Sequence, residues 1–394
     1  MRLSRLFARP RPGLADPLDL GAEAFAADLG PLWDRLHGER PVVRCADGAL
    51  LLLRHADVTA ALSNRALGNA PSRFSPLNAR NRGKYPAADL AANILPFQDA
   101  PEHLALRPVA SRAFHSAFAA MAATLPDRAG AAVAAADWPG DAIPVARRFG
   151  LDAMRAFTGL PEGPDYKRLT GAFFHLFAPL SDAQVFAGVN ATLTEFRQMI
   201  AAAMPDAAPD SLLGALRDAG AGPGVSVDLA ILFFADGVEN IEAGLANVIA
   251  AMDSPGDWLD RLAPGDVAPD ALVDEGLRLR SPAQLIARVA REASEVAGQP
   301  VAEGMPVYLG LAAANRDPAV FAAPGRFDPA RADPPLLVFG RGRHSCIGAG
   351  LARALIGALL VAVAARGLRP GLTAAEMRYH PRFGHHWPLS YPMG

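Results

Sequence analysis

Ten residues near the C-terminus, FGRGRHSCIG from Phe339 to Gly348, set one of only two cysteines in a 394-residue chain among three glycines, two arginines and a histidine. Several chemistries use such residues. A dinucleotide-binding turn needs a third glycine at position 345, where Ser345 stands, so that reading fails. A zinc site needs more ligands than His344 and Cys346 offer at local spacing. A nucleophilic cysteine paired with a distant histidine stays open, although it leaves the glycines without a purpose. A thiolate ligand to haem iron accounts for more of the stretch. Glycines let the backbone run close to a flat macrocycle, while backbone N–H groups and the positive end of a following helix favour anionic sulfur. An electron-donating sulfur of this kind favours cleavage of an O–O bond.

At every fixed position the stretch resembles the haem-binding loop of the cytochrome P-450 superfamily, F-G-x-G-x-[HR]-x-C-x-G, and similar segments follow in order over all but about the first 18 residues. The resemblance implies haem b with Cys346 as its iron ligand and Phe339, Gly340, His344 and Gly348 in the cradle. Glu275-x-x-Arg278 is similar to the family's structural pair on the proximal side, with Arg326 of Pro324-Gly325-Arg326-Phe327 as the implied third member. The segment DAPEHLALRPVASRAF resembles the helix whose His103 and Arg107 face the haem, and ARVA resembles the strand that offers Arg288 to the propionates. The residue types agree, because two buried carboxylates demand cations or ring donors around them.

On the oxygen side the family pattern is [AG]-G-x-[DE]-T, and the aligned residues here are Asp236, Gly237, Val238, Glu239 and Asn240. Gly237 and Glu239 match; Asp236 replaces a small residue and Asn240 replaces the threonine. Asp236, Glu239 and Asn240 fall at i, i+3 and i+4, which predicts one helix face. An amide has no hydroxyl proton to relay. Either Asn240 bonds a helix carbonyl or the substrate while water carries protons, or the chemistry differs. Phe233, Phe234 and Val238, with Leu285 and Ile286, Phe174 and Phe177 of FFHLF, and Phe383 of RFGHHW, suggest an apolar, aromatic substrate pocket. For the FFHLF aromatics, ordinary core packing is the competing reading.

These residues need elements to position them. Long Ala- and Leu-rich stretches carry helical spacing, so the expected class is mainly α with a small β part, a single large P-450-type haem domain over residues 19–394. Residues 1–18 are expected to form a mobile basic tail. A helix from about Asp228 to Met252, capped by Ser226 or Asp228 and some 37 Å long, is expected to cross the molecule above the cysteine. A second helix should begin just after Cys346. The pieces PVVRCADGALLLLR and VYLGLA read as a hairpin and a short buried strand. With 38 Lys plus Arg against 40 Asp plus Glu, nothing points to nucleic acid or an anionic membrane. No apolar run is long enough for a span and the start has no signal-peptide core, so a cytoplasmic protein is expected.

The resemblance implies a monooxygenase that uses dioxygen to oxidise a small or medium organic molecule. No flavin or iron–sulfur segment is recognisable, so electrons are expected from a separate ferredoxin-type partner docking near Arg112, Arg341 and Arg343. The alternative is a peroxide-using or radical-coupling oxidase that inserts no oxygen, to which Asn240 is suited.

Overall fold

The structure is a computed structural model that describes residues 17–72, 75–178, 182–252, 257–262, 265–331 and 335–394. The chain is mainly helical. Its long helix, Pro223–Ala251, is 29 residues, roughly 43 Å, and is buried almost from end to end. It begins earlier than expected. Pro223 at its first turn needs no N–H partner and Gly222 precedes it with a positive φ of 89°, so the start is set by backbone rather than by a side-chain cap. Ser226 and Asp228, the expected caps, lie inside it: Ser226 Oγ donates to Leu216 O, and the Asp228 carboxylate takes Asn93 and Arg197.

Small residues let other helices close in on this axis. A Cβ on Gly237 would sit 2.5 Å from Met154 Cε of helix Ala142–Thr158, and one on Gly244 would sit 2.5 Å from Ile356 Cδ1 of helix Ala349–Ala365. On helix Pro269–Leu279, Gly276 approaches Val248, where a Cβ would fall 2.8 Å from Cγ1 and 3.0 Å from Cα. Close helix contact of this kind excludes water from the middle of the molecule and builds its main core.

The hairpin is present as Val42–Arg44 paired antiparallel with Leu50–Leu52. It joins a five-stranded sheet that continues through Pro306–Leu309 and Ile286–Ala290 to Leu67–Gly68. VYLGLA is a strand only to Leu309, after which Leu311–Ala314 turns into a helical turn. Cys45 is a buried residue of the hairpin region. Of the segment expected as a mobile tail, residues 1–16 lie outside those described; Leu18 is buried, and its N–H donates to Arg44 O. Among the described residues no helix is long and apolar enough to cross a membrane.

Candidate active site

The cysteine loop is shaped by glycine. Gly340 and Gly342 hold φ of 64° and 75°, left-handed values that bring the chain round so that Cys346 N–H donates to Phe339 O at 2.8 Å. The Arg353 guanidinium lies over the Phe339 ring at 4.5 Å, and Gly348 precedes helix Ala349–Ala365 directly. Cys346 is reached by solvent although protein atoms crowd it, as expected of a residue facing interior space. Burial pushes its thiol up to about 12, and the charge of Asp236 pushes the same way. The Gly348 N–H, Arg107 and Arg353 pull down by less. Burial and Asp236 thus oppose the pull of the Gly348 N–H at the helix start on this sulfur.

Beside the loop lies a cluster of donors without acceptors. His103 and His344 face each other with ring centroids 3.9 Å apart, and neither ring nitrogen of His103 has a partner. His344 Nε2 meets Asn69 Nδ2 at 2.9 Å, and burial, then His103, Arg288 and Arg343, push its pKa down to about 3. Arg288 is 9% exposed, its guanidinium donates to Ala287 O, and burial pulls it down to about 10. The Nε of Arg343 is also buried and unpartnered, so this residue faces inward rather than a docking surface; Arg112 and Arg341 are exposed. The acid at hand, Asp99, already accepts from Asn69 N, Asn69 Nδ2 and Ala70 N. A buried cation and neutral histidines without an anion are costly, and a ligand that carries carboxylates fits them. Arg107 is spent differently: it donates to Ser345 O at 2.6 Å and to Ser345 Oγ at 3.2 Å, bracing the loop.

On the long helix, from Ser226 to Ala251, only Asp236, Gly237 and Asn240 are not fully buried. Asn240 Nδ2 donates to Asp236 O at 2.8 Å and to Asp236 Oδ1 at 2.9 Å. The expectation of one shared face fails for Glu239. That side chain is fully buried and its carboxylate takes Lys167 Nζ at 2.8 Å, Thr170 Oγ1 at 3.0 Å and Arg382 at 3.1 Å. The i+3 position leaves it turned toward helix Tyr166–Phe174 and the C-terminal segment. Glu242 joins the same network: burial pushes it up, but Arg147 and Lys167 outweigh that and hold it below the usual carboxylate range. Gly237 meets Met154, so its smallness serves helix packing.

Glu275 and Arg278 form a buried bidentate pair at 2.7 and 2.8 Å, and Arg278 also donates to Asn315 O, Pro324 O and Arg326 O. The third member is not Arg326. The Arg326 side chain is 66% exposed and pairs with Asp328, whereas Arg331 Nε reaches Glu275 Oε1 at 3.1 Å. Only the carbonyl of Arg326 enters the site, because the chain turns outward there and comes back at Arg331.

The expected pocket residues divide. Phe233 packs edge-on against Phe114 at 4.9 Å, while Phe234 is enclosed by Tyr166 and Phe196, and Val238 is fully buried in the core. Leu285 is buried and Ile286 partly so, at the sheet. Phe174 and Phe383, with His175, Arg382 and His385, line a cleft of about 450 Å³; Phe177 stacks on Phe97 instead. Sequence reasoning missed Asn69, Asp99, Arg331, Lys167 and Arg382. Asp99 and Arg382 open segments singled out for other residues, the other three stand in none, and only the fold brings all five to their partners.

The helical fold, the small sheet and the cysteine loop have counterparts among known proteins. A family model described as Cytochrome P450 matches residues 269–364. The biotin biosynthesis cytochrome P450 of Bacillus subtilis (strain 168) is 43% identical over 112 residues, 28% of this chain and only 28% of that protein's length. Cytochrome P450 BJ-3 of Bradyrhizobium diazoefficiens is 28% identical over 386 residues, covering 88% of this chain and 89% of that one. The structure of the tirandamycin C-bound P450 monooxygenase TamI matches with a TM-score of 0.80 at 25% identity, over 96% of this chain and 99% of that one. The chain is thus similar to cytochromes P450 in fold over nearly its whole length and in sequence around the cysteine loop.

Proposed function

We propose that the chain is a haem-thiolate monooxygenase acting on a small or medium organic molecule. The observation that carries this reading is the set of buried groups, His103 and Arg343 with unpartnered nitrogens and Arg288 with a bond to Ala287 O, beside a glycine-shaped loop that presents Cys346 to interior space. Haem b bound there supplies dioxygen activation: one oxygen atom enters a C–H bond or aromatic ring and the other leaves as water, with two electrons and two protons consumed. Cys346 is the iron ligand. His103, His344, Arg288 and Arg343 hold the propionates, and Arg107 keeps the loop in place through Ser345. Burial of the long helix keeps bulk water from the oxygen side. The cleft at Phe174, Phe383 and His385 admits substrate, and its aromatic lining selects for apolar groups. Electrons come one at a time from a ferredoxin-type protein, and the exposed Arg112 and Arg341 serve its docking. The setting is cytoplasmic.

The test is spectroscopic. The reduced, carbon-monoxide-bound protein is expected to show the long-wavelength Soret band of a thiolate ligand, and Cys346→Ala to lose it; a histidine-type spectrum overturns the reading. One observation favours a second reading, a peroxide-using or radical-coupling oxidase: the amide of Asn240 is spent on Asp236, so no alcohol serves as relay. Product formed per electron consumed in Asn240→Thr separates the two. A several-fold rise over wild type supports oxygen insertion and counts against the second reading.

A further inference from the structure

The oxygen side of this chain has a group that the family pattern does not place there. Asp236 is an acid where that pattern has a small residue, and it is one of the few residues of the buried helix that open on interior space. Its carboxylate is held from the next turn by the Asn240 amide, which binds both the Asp236 carbonyl and Oδ1. Its charge is felt at the sulfur of Cys346 across that space. Glu239, the acid that does match the pattern, is fully buried and tied by Lys167 and Arg382. Acid and hydrogen-bonding partner are thus both present, four residues apart on one helix face rather than adjacent.

Resting on the haem reading, we propose that Asp236 is the proton-delivering residue of the oxygen side and that Asn240 is the positioning residue that aims its carboxyl. In each cycle the Asp236 O–H bond breaks and its proton goes to an oxygen atom bound on that side. The carboxylate left behind takes a proton from water, so Asp236 returns to its starting form. The electrons come from the ferredoxin-type donor, and no other oxidant or reductant is needed. The groups facing Asp236 are Asn240 on its own helix and Cys346 from the loop; among the described residues no Lys, Arg or His acts on it. Burial pushes its carboxyl up to about 6 and the Asn240 amide pulls it back, so an appreciable share carries a proton near neutral pH.

The experiment uses the full haem-loaded chain in its reduced, carbon-monoxide-bound form, with carbon monoxide as the probe of the oxygen side. The infrared C–O stretching band is followed from about pH 4.5 to about pH 8, a range that spans the carboxyl's titration. In wild type the band is expected to shift as one proton is lost, with a midpoint near 6. Asp236→Asn, of nearly the same shape, is expected to abolish the shift. Asn240→Ala is expected to retain it with a higher midpoint, because the amide that favours the charged form is gone. A band independent of pH in wild type overturns the proposal, as does an unchanged titration in Asp236→Asn. Where Asp236→Asn fails to load haem, the midpoint in Asn240→Ala decides: a value unmoved from wild type overturns the proposal. The Soret band of the same samples keeps the two readings apart. Without a thiolate-type band the haem reading itself fails; with one and no titration, only the role of Asp236 fails.

Discussion

Arg326 and Arg331 show how much a single side chain's direction decides. Both lie within reach of one buried carboxylate along the chain, but Arg326 is turned to water and Arg331 completes the pair of Glu275 and Arg278. Arg326→Ala is therefore expected to change stability by no more than about 0.5 kcal/mol, as surface substitutions do. Arg331→Ala is expected to cost about 1–3 kcal/mol, the range for losing a partner of a buried charged group. Glu275→Ala leaves Arg278 buried and unpaired, and a loss of roughly 3–5 kcal/mol is expected. Urea midpoints of the three variants check the order; equal effects of the two arginine variants would refute the assignment. At this scale the sequence was legible for Glu275 and Arg278, which one motif names and the structure pairs. It was illegible where a role depends on which way a side chain leaves the backbone. Glu239 and Asp236 are three residues apart and of like chemistry, and only the partners Lys167 and Arg382, brought by other segments, separate their fates.

The elements follow the sequence more closely than their ends do. Apolar spacing reveals the long helix and the one after Cys346, because burying an Ala- and Leu-rich face is what makes each of them stable. The start of the long helix escapes, since Pro223 and Gly222 shape it through the backbone while the residues that look like caps are spent on tertiary partners. Glycines inside helices carry the remaining signal, which concerns neighbours rather than the helix itself. Gly276 is the sharpest case, because a methyl group there would meet the backbone Cα of Val248 at 3.0 Å as well as its side chain. Gly276→Ala should gain up to about 1 kcal/mol in helix propensity. Overpacking against a backbone that cannot move aside costs about 1–3 kcal/mol, so a net loss is expected. A lower urea midpoint checks it. Gly237→Ala, which presses only on the flexible end of Met154, is expected to lose less.

For the whole molecule, buried titrating groups oppose one another. Burial pushes His385 down to about 4 and His386 to about 3. Their stabilising contribution is complete above the ordinary value of 6.5 and is lost as pH falls from there, at up to about 1.4 kcal/mol per pH unit for each. Burial pushes Asp228 and Asp236 up to about 6; their contribution is complete below the ordinary value of 3.8 and is lost as pH rises through 6. His344, pushed down to about 3, adds a third group to the histidine side, so the two carboxyls offset only part of the loss and the wild-type urea midpoint is expected to fall from pH 6 to pH 4. Asp228→Asn removes one carboxyl from the balance and is expected to make that fall steeper; a slope unchanged from wild type would count against it. The donor cluster has a further consequence, in time. Asn69 and His344 touch across a separation of 275 residues, and His103 and Arg288 come from between them. A ribosome adding about 5–20 residues per second needs some 14–55 s to pass from one to the other. Through that interval no nascent chain has both walls of the cluster, so a ligand held by both cannot be captured before His344 has been added.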